Sequence, residues 1–290
     1  MPSLAPIHRH DLEAPTDRAE FRMPAHRPGV ELFQARIVHH AFEPHTHQAF
    51  GFGVIEEGVE RFRYRGADHL AAPGSIVLMN PDALHTGQAE CPEGWGYRML
   101  YLDPDALTEM TGERGWWFDR AVVDGDPKRS RALSALLGAL WQSDDALEMD
   151  GLLVQLVAAL RPYARGAGSG TEAAAGRFDR VLDCMHAALA EPWGLDDLAA
   201  VAGLSRFHFL RQFQAQYHVT PHKMLMALRL HAAKRWLAQG VPAAEVAAMA
   251  GLADQAHLSR AFMQRYGVSP ARYQRQVGRS CGTTRRRTDF

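Results

Sequence analysis

Cysteine is scarce in this sequence of 290 residues, which has only Cys91, Cys184 and Cys281. Because they are odd in number, far apart and free of a Cys-x-x-Cys pair, we expect neither a disulfide framework nor a cysteine-rich zinc site, and a reducing cytoplasm fits. No apolar run reaches the length of about 18 residues that suggests a membrane span, and the N-terminal segment lacks the apolar core of a secretory signal. We therefore expect a cytoplasmic protein that does not contact a membrane.

Motifs for nucleotide binding and covalent catalysis are also missing. The sequence contains no Walker loop, no Rossmann glycine fingerprint and no recognisable set of nucleophile, base and acid. We therefore expect a protein that is not an enzyme and that requires no cofactor.

The formal net charge of −1 conceals an uneven distribution. Residues 172–290 hold 16 Lys and Arg against 9 Asp and Glu, a net charge of +7, whereas residues 1–171 hold 16 against 24, a net charge of −8. An acidic half joined to a basic half indicates that only the second half meets a polyanion such as DNA.

The first half of the chain has the pattern of short strands between residues 30 and 102. Phe50–Ile55 and Ile76–Met79 are short apolar runs, and Arg61–Arg65 alternates with Phe62 and Tyr64 on one face. Glycine and proline recur between these runs as turn signals. This rhythm predicts a small antiparallel barrel or sandwich.

Residues 127–163 change to helical spacing and predict an αα-hairpin of two amphipathic helices. These helices either cover the barrel or pair with a second subunit, and both can hold together. The Gly-rich segment 164–176 has no apolar periodicity and is typical of a linker.

An internal repeat dominates the last third of the sequence. Residues 195–213 match residues 243–262, with Gly203 opposite Gly251 and Arg211 opposite Arg260. Each copy has the features of a helix-turn-helix, because the glycine permits a tight turn with positive φ. We predict a core of inward residues, caps for the second helices at Ser205 and Asp254, and inward positions for the repeated histidines His208 and His257. The predicted inward residues are Leu198, Val201, Phe209 and Phe213 in the first copy and Val246, Met249, Leu258 and Phe262 in the second, with small Ala199 and Ala247 at the helix crossings.

The segment Gly251–Pro270, followed by Tyr273, resembles the signature of AraC-type transcription regulators. The earlier Phe213-x3-Tyr217-x-Val219-Thr220-Pro221 and the linker-helix segment Leu228–Leu237 extend the resemblance over roughly residues 178–276. It implies two recognition helices that enter successive major grooves of DNA. Carried over by position, the residues facing DNA are Arg206, Phe207, Leu210 and Arg211 in the first unit and Gln255, Ala256, Ser259 and Arg260 in the second.

Three histidines in the first half form a second candidate site. His45 and His47 are two residues apart and His85 follows later, an arrangement that resembles the short motifs of cupin barrels. An apolar stretch stands where metal-binding cupins carry a glutamate, so a redox-enzyme function is not expected. The cluster has three readings: a divalent metal site, a set of hydrogen-bonding contacts to an effector, or structural residues. Further candidates for the pocket lining are Tyr64, Trp95, Tyr97 and Arg98.

These observations predict an α+β multidomain protein, with an N-terminal cupin-like antiparallel β-barrel, an αα-hairpin and a C-terminal all-α domain with two helix-turn-helix units. The predicted function is a sequence-specific DNA-binding regulator, an activator by family resemblance, controlled by a small-molecule effector. A cupin metalloenzyme with a helical appendage and an architectural DNA binder are the alternatives. The expected partners are double-stranded DNA, the effector, a second copy of the chain and, for an activator, RNA polymerase. The predicted boundaries are 1–125 for the effector-sensing barrel, 126–163 for the hairpin and dimer contact, 164–176 for the linker, 177–277 for the DNA-binding domain and 278–290 for a basic tail.

Overall fold

The structure, a computed structural model, describes residues 17–165 and 178–281. Most of the predicted linker and of the predicted basic tail lies outside these residues. The N-terminal half forms a six-stranded sheet in the order β1-β2-β9-β4-β7-β11 and a four-stranded sheet in the order β3-β8-β5-β6. The strands are β1 (Arg18–Arg22), β2 (Val30–Ile37), β3 (Phe42–His45), β4 (Phe50–Gly58), β5 (Glu60–Tyr64), β6 (Ala67–Ala71), β7 (Ile76–Met79), β8 (His85–Ala89), β9 (Trp95–Leu102), β10 (Trp117–Phe118), β11 (Val122–Val123) and β12 (Ala164–Arg165), where β12 pairs with β10.

The cupin-like prediction takes the form of two antiparallel sheets packed as a sandwich rather than a closed barrel. The six-stranded sheet is covered on both faces. Successive residues of β9 point to opposite faces of the sheet and pack into two different cores. Met99 and Tyr101 face the interior between the sheets, whereas Leu100 and Leu102 face the helical hairpin. A strand covered on both sides has an apolar run instead of a clean alternation.

The predicted αα-hairpin is present as α2 (Pro127–Gln142) and α3 (Ala146–Leu160), preceded by the short α1 (Pro104–Thr111). Asp126 and Asp145 cap the two hairpin helices through hydrogen bonds to backbone N–H groups three residues later. The buried faces of α2 and α3 pack on the outer side of the six-stranded sheet. The hairpin therefore covers the sandwich, as one of its two readings predicted.

The C-terminal half is entirely helical in the residues that the structure describes. It contains two helix-turn-helix units, α5–α6 and α8–α9, joined by the long α7. The helices are α4 (Asp179–Ala187), α5 (Leu195–Val201), α6 (Arg206–Tyr217), α7 (Pro221–Ala238), α8 (Ala243–Met249), α9 (Gln255–Tyr266) and α10 (Pro270–Cys281). Among the described helices, none is long and apolar enough to cross a membrane.

The helix-turn-helix cores agree with the repeat, with two exceptions. Phe209, Phe213, Leu258 and Phe262 are fully buried, as predicted. The prediction that Met249 points inward is wrong, since 42% of this residue is exposed. The short α8 buries only a narrow stripe of Val246, Ala247 and the following Ala250, and Met249 lies beside it. On α5 Val201 is only half-buried.

The turn glycines of the two units adopt the left-handed conformation that the sequence predicts, with φ of 65° at Gly203 and 64° at Gly251. Their surroundings differ, because a Cβ at Gly251 would lie 2.6 Å from the carbonyl oxygen of Ala190, whereas a Cβ at Gly203 would meet nothing within 4 Å. Gly203→Ala should therefore lower the free energy of unfolding by only about 1–2 kcal/mol, which is the cost of placing a residue with a Cβ in the left-handed conformation.

Gly251→Ala should lower the free energy of unfolding by more than Gly203→Ala, because the clash with backbone adds to the same conformational penalty. Urea denaturation of the two variants side by side measures the difference. Equal losses would show that the second turn moves to accept a side chain.

Candidate DNA-binding surface and sensor pocket

The predicted DNA-facing residues lie on the outer faces of α6 and α9, near their N-terminal ends. Arg206, Phe207 and Arg211 are exposed on α6, with 69% of Phe207 accessible, and Leu210 is half-buried. On α9 the exposed residues are Gln255, Ala256 and Arg260, and Ser259 is half-buried. Large exposed side chains at the start of the second helix are what a helix-turn-helix unit needs to reach base edges in the major groove.

Two contacts involve the exposed arginines of the first of these surfaces. Arg206 forms an ion pair with Asp196 of α5, and its Nε atom donates to that carboxylate at 2.7 Å. The guanidinium of Arg211 lies over the ring of Phe207 at 5.6 Å, within cation–π range. Arg206 is therefore held by a carboxylate on the neighbouring helix α5.

The repeated histidines occupy different environments, and the prediction that His208 points inward is wrong. His208 is exposed, because the buried stripe of α6 passes through Phe209 and Phe213 and leaves the preceding position outside. Its Nδ1 atom lies 2.9 Å from the hydroxyl of Ser205, so this serine does not form the predicted side-chain cap to the backbone. His257 is half-buried, and its backbone N–H donates to the predicted cap Asp254 at 2.6 Å.

The second candidate site lies between the two sheets, where the structure brings His45, His47 and His85 together. His45 and His85 are direct cross-strand neighbours on β3 and β8, and His47 follows β3 in the adjoining loop. One ring nitrogen from each histidine lies within 4.8 Å of the others. The ring centroids of His45 and His85 are 4.2 Å apart, and His47 stacks on Tyr101 at 4.1 Å.

Burial keeps all three imidazoles neutral. Removal from water lowers the pKa of His45 and of His47 well below the usual value and lowers the pKa of His85 to about 4. The Nδ1 atoms of His45 and His85 face the carbonyl oxygens of Glu43 and Ala83 at 2.8 and 3.1 Å. In a neutral ring, such an Nδ1 must carry the proton and donate it, which leaves Nε2 as a free acceptor.

The pocket around the cluster is small and mostly aromatic. It encloses about 30 Å³, room for a water molecule or an ion but not for a sugar or an aromatic acid. Glu60 on β5 lines the wall, and burial raises the pKa of its carboxyl group to about 8. The remaining lining residues include Phe21, Phe33, Phe42, Met79, Tyr97, Met99 and Tyr101.

The C-terminal end of α9 forms the roof of this pocket. Arg265 and Tyr266 both line it, and the Nε atom of Arg265 donates to the carbonyl oxygen of Pro44 at 3.0 Å. The hydroxyl of Tyr266 is buried and has no hydrogen-bond partner among the described residues. The helix that carries Arg260 on its outer face therefore closes the sensor pocket with its last turn.

A buried ion pair joins the C-terminal half to the N-terminal half beside this roof. Lys234 of α7 lies 2.5 Å from the carboxylate of Glu31 on β2, and the hydroxyl of Tyr273 donates to the same carboxylate at 3.0 Å. Four aromatic rings surround the ammonium group at 4.6–5.8 Å: Phe21, Tyr101, Tyr266 and Tyr273. The rings and the carboxylate come from both halves of the chain, so this contact holds them in one arrangement.

The structure corrects part of the predicted pocket lining. Arg98 lies on the opposite face of β9 from Tyr97, and it pairs with Glu56 at 2.7 Å instead of meeting the histidines. The hydroxyl of Tyr64 accepts hydrogen bonds from the backbone N–H and the side-chain amide of Asn80. Trp95 is buried beside the pocket without lining it. Of the four further candidates, Tyr97 alone lines the pocket.

Several residues of the pocket were missed from the sequence. Glu60 lies on the same face of β5 as Phe62 and Tyr64, so the alternating pattern could have placed it on the inner face. Tyr101 likewise lies on the same face of β9 as Tyr97. No local pattern could have brought Arg265 or Tyr266 to this pocket, because Pro44, which accepts the hydrogen bond of Arg265, is 221 positions away in the chain.

Comparison with known proteins matches both halves of this architecture. The profile of the AraC-like ligand binding domain matches residues 27–157, and a helix-turn-helix domain profile matches residues 198–276. Together these matches span more than half of the chain. This chain belongs to the AraC-type transcription regulators. Within that family, it is a DNA-binding regulator of transcription with a ligand-binding domain.

Two relatives match this AraC-type regulator over most of their length. It is 26% identical over 235 residues to the HTH-type transcriptional regulator YbfI of Bacillus subtilis, covering 79% of this chain and 86% of the relative. It is 24% identical to the MmsAB operon regulatory protein of Pseudomonas aeruginosa, covering 95% and 96% of the two chains.

Among solved structures, ToxT of Vibrio cholerae has the same fold, with a TM-score of 0.53 at 10% identity, covering 90% of this chain and 98% of ToxT. ToxT has also been solved with a bound unsaturated fatty acid, at a TM-score of 0.54 and 11% identity, covering 86% and 95% of the two chains.

Proposed function

We propose that this regulator reads DNA through α6 and α9, with Arg206, Phe207, Leu210 and Arg211 in the first unit and Gln255, Ala256, Ser259 and Arg260 in the second. The duplicated unit is the observation that supports this proposal. The buried core residues of α6 and α9 match in position, so the same positions of both helices face solvent. Arginine can pair with guanine through two hydrogen bonds and glutamine with adenine, whereas Leu210 and Ala256 can contact only apolar groups such as the thymine methyl.

Arg260→Ala should weaken binding to the preferred DNA site by about 1–3 kcal/mol and relax the preference at one base pair. The physical reason is the loss of direct contacts to a base edge from an exposed side chain on the outer face of α9. Arg211→Ala should have the same effect in the other half of the site. Fluorescence anisotropy with a panel of single-base variants of the site measures both quantities.

Arg120→Ala is the matched control, because Arg120 is an exposed arginine of the sensor half. It should leave DNA affinity unchanged. An equal loss of affinity for every sequence on Arg260→Ala would assign this residue to a phosphate contact instead of to base recognition.

For the sensor, we propose that the pocket with His45, His47 and His85 is the effector site, and that α9 transmits its occupancy. The last turn of α9 closes the pocket, and Arg260 lies six residues earlier on the same helix, about 9 Å along its axis. A helix moves as a rigid rod over this length, so a ligand that tightens or displaces Tyr266 also moves the DNA-facing residues. Tyr64 and Arg98 have no place in this effector site.

The remaining parts of the proposal concern assembly and output. We propose a homodimer formed through the outer face of α3, where Leu147 and Val154 are 83% and 56% exposed one heptad apart. We further propose that it activates transcription by contact with RNA polymerase, that it is not an enzyme, and that it acts in the cytoplasm, where its DNA target lies. Sedimentation of wild type against Leu147→Lys tests the dimer.

A further inference from the structure

We propose that His45, His47 and His85 bind one divalent transition-metal ion of the zinc type, with Tyr266 of α9 facing the fourth coordination position. The proposal rests on the assignment of this pocket as the effector site and names the chemical class of its ligand. It makes the bound ion a link between the sensor sheets and the second DNA-binding unit.

The ring nitrogens of the three histidines are close enough to share one ion. One nitrogen from each histidine lies within 4.8 Å of the other two. In a tetrahedral zinc site with Zn–N bonds of about 2.0–2.1 Å, ligand nitrogens are roughly 3.3 Å apart, which small rotations of the three rings supply. His45 and His85 are held beside each other by β-pairing, so two of the three ligands are already in place.

The hydrogen bonds of the three rings also leave nitrogen atoms available to a metal ion. His45 and His85 direct Nδ1 at the carbonyl oxygens of Glu43 and Ala83, which fixes the proton there and leaves the Nε2 lone pair free. Histidines that bind metals are held in this way by a carbonyl or carboxylate behind the ring. The Nε2 atom of His47 is buried and has no hydrogen-bond partner among the described residues. A buried polar nitrogen without a partner is costly, and a metal ion would satisfy it.

The size of the pocket also favours an ion. A space of about 30 Å³ accepts an ion and is too small for a sugar or an aromatic acid. The roof places a second buried group without a described partner, the Tyr266 hydroxyl, in the wall of the same space, where it can meet the ion or a water on it. The nearby ammonium group of Lys234 pairs with Glu31, which offsets part of the repulsion that this ammonium exerts on a cation at the cluster.

Metal titration of the full chain tests the proposal. Protein freed of metal with a chelator should take up one Zn²⁺ per chain, measured by elemental analysis after desalting, and zinc should raise the melting temperature. Co²⁺ should give the intense visible absorption of a tetrahedral site, without the sulfur charge-transfer band of thiolate ligands. Less than half an ion per chain, or an octahedral Co²⁺ spectrum, would overturn the proposal.

Variants locate the site. His47→Ala and, separately, His45→Gln should abolish stoichiometric binding, whereas His69→Ala, a half-buried histidine of β6 outside the cluster, should leave it unchanged. Tyr266→Phe should keep the stoichiometry, weaken zinc binding about tenfold and shift the Co²⁺ spectrum. Stoichiometric binding that survives both histidine variants would overturn the assignment. If a variant fails to fold, the Co²⁺ spectrum of the wild type and of Tyr266→Phe decides.

The failure of this proposal can be told apart from failure of the proposed function. A chain that binds no zinc but whose DNA preference still relaxes on Arg260→Ala would remain a regulator with another ligand. A chain that binds zinc at the three histidines but shows no DNA preference would keep the metal site and lose the proposed base contacts.

Discussion

Lys234→Ala should lower the stability of the docked, two-half arrangement by about 3–5 kcal/mol, because it leaves the Glu31 carboxylate buried without its counter-ion. The side chains of the pair are only 6% and 12% exposed, so water does not replace the lost partner while the halves stay together. Since the pair joins α7 to β2, the variant relieves this cost by unfolding or by separating its halves. Urea denaturation followed by tryptophan fluorescence measures the stability, and small-angle X-ray scattering detects the separation.

Two controls isolate the buried pair. Arg61→Ala removes one partner of the surface pair with Glu90 and should change stability by no more than about 1 kcal/mol. The double variant Lys234→Met/Glu31→Leu removes both charges and should recover most of the loss. A loss below about 0.5 kcal/mol for Lys234→Ala alone would show that Glu31 is solvated and that the Lys234–Glu31 pair contributes nothing to docking.

Affinity for DNA should fall by about 10³–10⁵ between 50 and 200 mM salt if the two units together contact 6–10 phosphates. The expectation follows from the net charge of +7 on residues 172–290, against −8 on the preceding half. The release of counterions by lysine and arginine side chains produces this salt dependence, which does not depend on the base sequence. A plot of the logarithm of affinity against that of salt concentration, for specific and random DNA, measures it.

The same titration on residues 172–290 alone separates the roles of the two halves. The core around Phe209 and Phe213 lies almost entirely within the C-terminal half, so the first unit should keep its fold without the sensor. The isolated segment should then keep at least the part of the salt slope that the first unit contributes, because the second unit shares its core with the sandwich. A flat slope for either protein would contradict the assignment of the basic half to DNA.

Much of the architecture could be predicted from the sequence because local patterns carry it. The apolar run Ile76–Met79 coincides with β7, and the repeat located both turns through Gly203 and Gly251. The histidine cluster was also predictable, since the pairing of short strands brings His45 and His85 together. In each case the information lies within one element or in two matched copies.

The errors occur where tertiary contacts decide which face is inside. Arg98 was a candidate for the pocket lining. Both faces of β9 are buried, so the strand lacks the polar and apolar alternation that would show which of its residues face the interior. The roof of the pocket could not be predicted either. Docking of Tyr266 against His45 depends on packing between residues more than 200 positions apart, which no periodicity records.

Selection of binding sites from random DNA with the full chain tests most directly whether two matched recognition helices read DNA. We expect an enriched sequence with two short conserved blocks whose centres are about one helical turn, or 10–10.5 base pairs, apart. Arg211→Ala should relax the preference at one base pair of one block, and Arg260→Ala at one base pair of the other. Absence of enrichment over random DNA, or two variants that alter the same block, would contradict this expectation.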